Sequence, residues 1–524
     1  MTVTVPSRSP SMQRITAGPG FNRWLIPPAA LAIHLCIGQA YATSVYKDSL
    51  VRHFVDSRFS ELMGPQTSVG VIFSIAIVML GLSAALFGTW VDRNGPRRAM
   101  LASTVCWVTG FAVGSLGIYT GQLWLVYLGY GFIGGIGLGI GYISPVSTLI
   151  KWFPDRPGLA TGMAIMGFGG GAMIASPLSS SLLDFYDPNA EDGIHSGQAV
   201  GALFLTLGAI YLVVMLFGAW IVRVPHPDWK PEGFDPSKAK KKALVSAGNV
   251  RANTAISTRQ FWLLWIILFT NVTAGIGILE HASPMIQDFF RGGDNISSVA
   301  PAAAAGFVGF LSLTNMAGRF IWSSTSDVIG RKNIYLLYLA GGVLLYFSLA
   351  VWGSVSMTLF IIISGIILSF YGGGFATIPA YLRDLFGTLQ VGAIHGRLLT
   401  AWSCAGIAGP LIINGFLDAR GEPGSLTAAD YRPALFTMVG LLVVGLIANI
   451  LVNAVDEKHH VENAPADPEA EKSSGTEAKP GDTETLKPLG APRVPLWLAW
   501  GVVGIPLLYG VGQTFNSAIR LFTG

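Results

Sequence analysis

The chain has 524 residues, of which 51% are hydrophobic and 12% charged, and its formal net charge is +4. Soluble globular domains carry about 25% charged residues, so this composition excludes an ordinary soluble fold and points to burial in a bilayer. No nucleic-acid partner is expected.

Residues 1–23 form an arm with Arg8, Arg14 and Arg23 and no acidic residue. No small-residue cleavage site follows, so the first apolar run reads as a retained anchor and not a removed leader. Runs of about 20 apolar residues can cross a ~30 Å hydrocarbon layer as helices. They recur at 24–46, 67–91, 99–119, 122–150, 158–183 and 199–222, which predicts a six-helix bundle over 24–222. The loop 223–259 contains Pro225, Pro227, Pro231 and Pro236, then the basic run Lys238, Lys240, Lys241 and Lys242. It reads as a tether, whose charge either touches anionic lipid or only fixes topology. A second bundle over 260–453 is predicted from runs at 260–283, 301–325, 333–353, 356–381, 397–417 and 432–453. The stretch 454–494 has the Pro, Glu, Ser and Lys content of a disordered tail. A last apolar run, 495–511 within 495–524, predicts a thirteenth span. The expected fold is therefore an all-α membrane protein. An outer-membrane barrel would show alternating segments of about 10 residues instead of continuous runs. Cys36, Cys106 and Cys404 fall in separate spans and read as small buried hydrophobes, with no disulfide framework or metal site. No nucleophile–base or cofactor constellation is found, so an enzyme is not expected.

Charge sets an expected orientation. With the N-terminus in the cytoplasm, basic residues gather on that side in the arm and the central loop. They are joined there by Arg93, Arg97, Arg98, Lys151, Arg156, Arg331, Lys332, Arg383 and Arg397. The opposite side holds Lys47, Arg52, Arg58, Arg291, Arg420 and Arg432. The positive-inside rule favours this arrangement, in the inner membrane of a bacterial cell, with the thirteenth span ending outside.

The loops after spans two and eight repeat one pattern. Asp92 precedes Gly95 by three residues, as Asp327 precedes Gly330, and basic residues follow each glycine. Both pairs are 235 residues apart, which makes the loops equivalent points of two parallel repeats. The first copy, Gly88, Asp92, Arg93, Gly95, Arg97 and Arg98, resembles the G-x-x-x-D-R-x-G-R-R/K loop signature of the major facilitator superfamily. The stretch Lys151–Ala164, K-W-F-P-D-R-P-G-L-A-T-G-M-A, is similar to one in the oxalate/formate antiporter family, relatives of the monocarboxylate porters. Asn315 to Arg319 resembles the N/D-x-x-x-R element of both groups. The resemblance covers residues 24–453. It implies the major facilitator fold, two six-helix bundles related by a pseudo-two-fold axis. It also implies a gating latch built from the first loop together with Asp327, Gly330 and Arg331.

Arg319 is the only Lys or Arg deep within any of the twelve spans. It lies eight residues before Asp327, roughly 12 Å into the layer at ~1.5 Å per residue. A cation at that depth costs about 2.5–3.5 kcal/mol even on lenient insertion scales, so it must face a cavity or a partner. Its planar fork matches a carboxylate bidentately, as Lys cannot. The resemblance implies that this position binds substrate carboxylate and that spans one, four, eight, ten and eleven supply the pocket. Gln39, Tyr41, Tyr142, Tyr371 and Trp402 lie near mid-span there, with Asn315 one turn before the arginine. Each Tyr reads also as packing.

Two departures from the resembling families narrow the cargo. Trp402 stands where oxalate antiporters carry a second cation, leaving one fixed positive charge, which balances a monoanion better than oxalate. Asn315 stands where monocarboxylate porters carry an Asp, which puts their proton route in doubt. His34, Glu280 and His281 are the candidate proton sites, the first reading equally as a packing histidine and the other two as an interfacial pair. The glycines of span four contain a G-x-G-x-x-G match, but inside an apolar run and not after a strand, so they predict close helix packing.

The expected function is secondary transport of a small carboxylate, formate-, lactate- or pyruvate-sized, by anion exchange or with a proton, and without a cofactor. An oxalate/formate exchanger, a drug or metabolite exporter and a membrane sensor stand as alternatives.

Overall fold

The computed structural model describes residues 15–18, 20–190, 194–226, 229–232, 248–290, 301–420, 426–461 and 494–523. Lys238, Lys240, Lys241, Lys242, Arg8, Arg14, Arg291 and most of the expected tail lie outside the described residues, as does the side chain of Glu280.

Helices dominate. The first bundle consists of α1 (Ile26–Ile37, continued by a 3₁₀ stretch Gly38–Tyr46), α2 (Pro65–Asn94), α3 (Pro96–Tyr119), α4 (Leu123–Trp152), α5 (Pro157–Tyr186) and α6 (Gly197–Ile221). The second consists of α7 (Arg259–Phe289), α8 (Pro301–Ile329), α9 (Arg331–Trp352), α10 (Met357–Phe386), α11 (Val391–Leu417) and α12 (Ala428–Leu451). One more helix follows, α13 (Leu496–Thr523). Among the described residues, 12 helices are long and apolar enough to cross a membrane. These include the Leu496–Thr514 part of α13 but not α8, whose apolar run is broken by Asn315 and Arg319.

Local sequence explains the helix boundaries. Pro65, Pro96 and Pro157 open α2, α3 and α5 at positions whose N–H groups would be unbonded in any case. Ser196 and Thr258 cap α6 and α7 with their hydroxyls. α4 carries a π-helical stretch, Tyr127–Gly134, and its glycines sort by face. Gly131, Gly135 and Gly139 abut α2, while Gly129, Gly134 and Gly137 abut α3. Span four's glycines are thus close-packing residues in the structure.

Contacts within the two bundles repeat. α1 packs on α5, α2 on α4 and α3 on α6, while α7 packs on α11, α8 on α10 and α9 on α12. The bundles meet along two principal seams, α5 with α8 and α2 with α11, which exchange under the same six-helix shift. α1, α5 and α10 are mostly interior, whereas α2, α3, α6, α9 and α12 turn more of their surface outward. Large apolar side chains such as Val213 and Leu344 stand exposed on the outer surface, where lipid tails would cover them.

The repeated loops are built alike. Gly95 has φ 86° between α2 and α3, and Gly330 has φ 90° between α8 and α9. Both adopt backbone that an L side chain resists, which is why each link can turn in a single residue. Gly330→Ala is expected to cost about 1–3 kcal/mol. Thermal unfolding of the purified protein in detergent checks this, and an unchanged melting curve would remove the strain argument.

Candidate functional site

Arg319 is 1% exposed, at the seam where α8 meets α5. Asn315 sits one helical turn earlier on the same face, and its Oδ1 accepts from Arg319 Nε at 3.1 Å. Nη1 donates across the seam to the Ile165 carbonyl on α5 at 3.2 Å. The guanidinium carbon lies 5.9 Å from the centre of the Phe168 ring (α5) and 5.5 Å from that of Phe375 (α10), within cation–π range of both. No carboxylate is paired with it among the described residues. Neither of these two bonds engages Nη2.

Glycine runs make this approach possible. Gly169 on α5 lies against Arg319 Nε, and Gly372 on α10 lies against the backbone and side-chain oxygens of Asn315. Any larger residue at Gly372 would collide with α8, so the two runs fix how closely both walls close on the arginine.

An aromatic shell surrounds it. Trp402 on α11 has ring centroids 4.6 Å from Phe375, 5.5 Å from Tyr142 and 5.6 Å from Phe168. Tyr41 stands edge-on to Phe168 at 5.1 Å, and Tyr371 to Phe375 at 5.3 Å. The hydroxyls of Tyr41, Tyr142 and Tyr371 are buried; that of Tyr142 has no hydrogen-bond partner, while those of Tyr41 and Tyr371 engage each other. All three are close enough to Arg319 to interact with it electrostatically. An unbonded buried hydroxyl such as that of Tyr142 costs about 1–3 kcal/mol. The three hydroxyls, on α4, α10 and the 3₁₀ continuation of α1, gather around one arginine with no carboxylate beside them among the described residues.

Of the other sequence-predicted residues, His34 lies beside the shell, stacked on Tyr142 and within electrostatic reach of Arg319, and the rest are placed elsewhere. Gln39 is engaged inside the first bundle, donating to Tyr46 at 2.9 Å and accepting from Tyr130 at 3.0 Å. His34 packs flat on Tyr142, with Nδ1 2.6 Å from the Ala164 carbonyl and Nε2 3.1 Å from the Tyr142 carbonyl. His281 is buried in α7 with Nδ1 at the Gly277 carbonyl. Phe168, Phe375 and His395 were not anticipated. His395 is buried on α11 near Tyr142, with Nε2 unbonded. A signal for the two phenylalanines exists, since each directly adjoins a run of three glycines, Gly169–Gly171 and Gly372–Gly374.

The repeated loops close one end of both seams. Asp327 accepts from the backbone N–H groups of Gly158 and Leu159, both at 2.9 Å, at the start of α5 in the opposite bundle. Asp92 accepts from Ala393 N at 2.9 Å, at the start of α11, again in the opposite bundle. Each carboxylate thus satisfies unbonded amides at the positive end of a helix dipole. Lys151 approaches Asp92 at 3.8 Å. Arg331 pairs with Asp327 at 2.6 Å and Asp384 at 3.2 Å, and also contacts Ser326. Gly88 packs against Ala393, so α2 and α11 touch through backbone there. Arg98 bonds Asn94 at 3.2 Å, and Arg97 faces Arg223 electrostatically, so neither bridges the seam in these contacts.

The profile of the Major Facilitator Superfamily matches residues 20–379 and 300–522. The chain is 26% identical to the oxalate:formate antiporter of Oxalobacter formigenes, over 74% of this chain and 83% of that protein. It is 25% identical to apicoplast pyruvate carrier 1 of Toxoplasma gondii, covering 83% and 92% of the two chains. With monocarboxylate transporter 11 of Homo sapiens it shares 24% identity over 81% and 83%. Among solved structures, the fucose:proton symporter of E. coli superposes with a TM-score of 0.57 at 15% identity, covering 81% of this chain and 99% of that one. That likeness concerns the fold alone.

Removing either carboxylate should loosen its seam. Asp327→Ala is expected to raise labelling of a Ser323→Cys thiol by a water-soluble maleimide, above the background of the native cysteines, because Ser323 is buried against α5. Unchanged labelling would mean that Asp327 does not hold the seam.

Proposed function

The chain belongs to the Major Facilitator Superfamily, and from that premise we propose that it carries a small monocarboxylate across the membrane, by alternating access and in exchange for another anion. The observation that carries this reading is the convergence of three buried tyrosine hydroxyls, that of Tyr142 unbonded and those of Tyr41 and Tyr371 bonded only weakly to each other, on a buried arginine that has no paired acid among the described residues. A carboxylate supplies the acceptor that this set of donors calls for. One oxygen pair faces the guanidinium, and the hydroxyls of Tyr41, Tyr142 and Tyr371 donate to the remaining lone pairs. Asn315 orients the fork through Nε, and Phe168, Phe375 and Trp402 exclude water.

Charge balance favours a monoanion. Arg319 offers one positive charge, and Trp402, the residue on α11 facing Phe375, offers none. A dianion would leave a charge in a low-dielectric site, which is costly. The same balance favours exchange. With anion bound, the centre is neutral and the bundles can rock past each other. Without it, a bare guanidinium would have to pass through the closed interior. Asn315 has no titratable group, so the proton route of the resembling monocarboxylate porters finds no support at that position.

The end closed by Asp92 and Asp327 is read as cytoplasmic, from the basic residues that gather there. Opening would break the two carboxylate caps on α5 and α11, each worth about 1.5–3 kcal/mol as a charged hydrogen bond. The alternation then runs between this closed end and one in which those caps are released. The names of the relatives, an oxalate:formate antiporter and a pyruvate carrier, agree with a small carboxylate cargo.

The test is exchange in proteoliposomes with labelled formate, lactate, pyruvate and oxalate, with and without a pH gradient. The expected result is exchange of monocarboxylates that depends on internal anion, prefers them to oxalate and is not driven by the pH gradient. Preference for oxalate, or uptake driven by protons into anion-free vesicles, would overturn the reading. Arg319→Lys keeps the charge and loses the fork, and is expected to lower kcat/KM about 10- to 100-fold. Near-normal exchange would remove Arg319 from the site.

Tyr371→Phe discriminates ligand contact from packing. Its hydroxyl meets only that of Tyr41 among the described residues, so deleting it should change the melting temperature of the ligand-free protein little, while KM for the carboxylate rises about tenfold. Loss of stability with unchanged KM would assign Tyr371 to packing.

A further inference from the structure

α13 has no task in the site as described, yet it lies directly behind it. One face of this helix carries Ala499, Val503, Leu507, Gly510 and Thr514, spaced by four, four, three and four residues, which aligns them on a single stripe. The opposite side presents Ile505 and Leu508, 70% and 73% exposed. The stripe crosses the seam between the bundles. Ala499 packs with Leu25, just before α1, and Ala29 of α1, and Val503 with Leu31 and Leu35 of α1. Gly510 lies against the backbone of Met173 on α5, and Thr514 reaches Gly309 on α8.

The decisive contact is at Gly170. A Cβ there would meet Met316 Sδ of α8 at 3.1 Å, Leu507 Cδ2 of α13 at 3.3 Å and Leu35 Cδ2 of α1 at 3.5 Å. Gly170 is flanked by Gly169, which faces Arg319 Nε, and is two residues from Phe168, whose ring lies beside the guanidinium. α5 therefore has no side chain of its own to separate the arginine from the outer surface at this depth. Leu507 fills that notch.

We propose that α13 forms the outer wall of the substrate site, with Leu507 as a positioning residue that holds the Phe168–Gly170 segment of α5 against Arg319 and closes the α5–α8 seam to lipid. A guanidinium near the middle of a bilayer is tolerated when protein surrounds it, and a glycine-lined helix backed by lipid would leave it poorly screened. The stripe touches α1 and α5 of one bundle and α8 of the other, so its grip also sets how tightly the seam closes around cargo. This inference rests on the reading of Arg319 as the cargo site, and its test therefore includes one readout that needs no cargo.

The variants are made in the full-length chain: Leu507→Ala, its conservative partner Leu507→Met, and Leu508→Ala on the exposed side as control. Leu507→Ala is expected to raise KM for carboxylate exchange about five- to tenfold with little change in kcat, while the other two keep wild-type KM. Independently, a Gly170→Cys thiol, whose Cβ meets only flexible side-chain ends, is labelled in membranes with a lipid-soluble maleimide. Labelling should be several-fold faster beside Leu507→Ala than beside Leu508→Ala. Equal labelling and equal KM in the two alanine variants would overturn the proposal. Faster labelling with unchanged KM would support the seal and overturn the cargo reading of Arg319 instead.

Discussion

The interaction on which the rest depends is a guanidinium buried at the seam between two helical bundles, with an amide, a backbone carbonyl and two aromatic rings around it instead of an acid. Uncompensated charge in an apolar interior costs several kcal/mol, and the surrounding sequence is shaped by that cost. Among the described residues, α8 is the one helix of the body that is not apolar enough to count as a membrane span. α5 and α10 carry glycine runs where they close on it, which brings Phe168 and Phe375 within reach of the charge. Tyrosines then stand nearby, the hydroxyl of Tyr142 without a partner and those of Tyr41 and Tyr371 turned to each other. Each feature is unfavourable taken alone. On the proposed reading, together they form a wall that an anion would complete.

The same economy of backbone appears at the closed end. Two carboxylates in equivalent loops each cap the first turn of a helix in the other bundle, so the repeat in sequence becomes a reciprocal latch in space. The two copies are not equal. Asp327 accepts from two amides and pairs with Arg331, which also holds Asp384, whereas Asp92 accepts from the Ala393 amide, has that of Gly392 beside it and has Lys151 at 3.8 Å.

Much of this could be read from sequence because the physics of a bilayer is severe. Span count and the Asp–Gly repeat follow from hydrophobic length and from backbone that only glycine accepts, and Arg319 stood out because charge is rare at its depth. The partners of those residues could not be read in the same way. Nothing local marks the start of α5 or α11 as the acceptor of a distant carboxylate, since that depends on how the bundles dock. Gln39 and His34 matched the expected depth but face into the first bundle, because depth along a helix does not fix which way a side chain turns. Arg397 was placed at the beginning of its span, yet α11 starts earlier at Val391, and the arginine bonds Asn253 from within the helix. The apolar run of α13 predicted a helix, but an apolar pattern on all sides carries no address, so its seat behind α5 emerges only from packing.

Trp402 connects the cargo to this architecture. Its ring closes the shell by touching Phe168 of one bundle and Phe375 of the other, so the residue occupying the place of an expected second cation is also a physical bridge across the seam. A lysine there would have had to bring its own hydration or its own counter-ion into the interior. An indole brings neither, and the shell can close dry around a single ion pair. On the proposed reading, giving up the second charge therefore does two things at once. It restricts the cargo to what one guanidinium can neutralise, and it lets the seam close by aromatic contact, so that bound anion and closed shell become a single condition for movement.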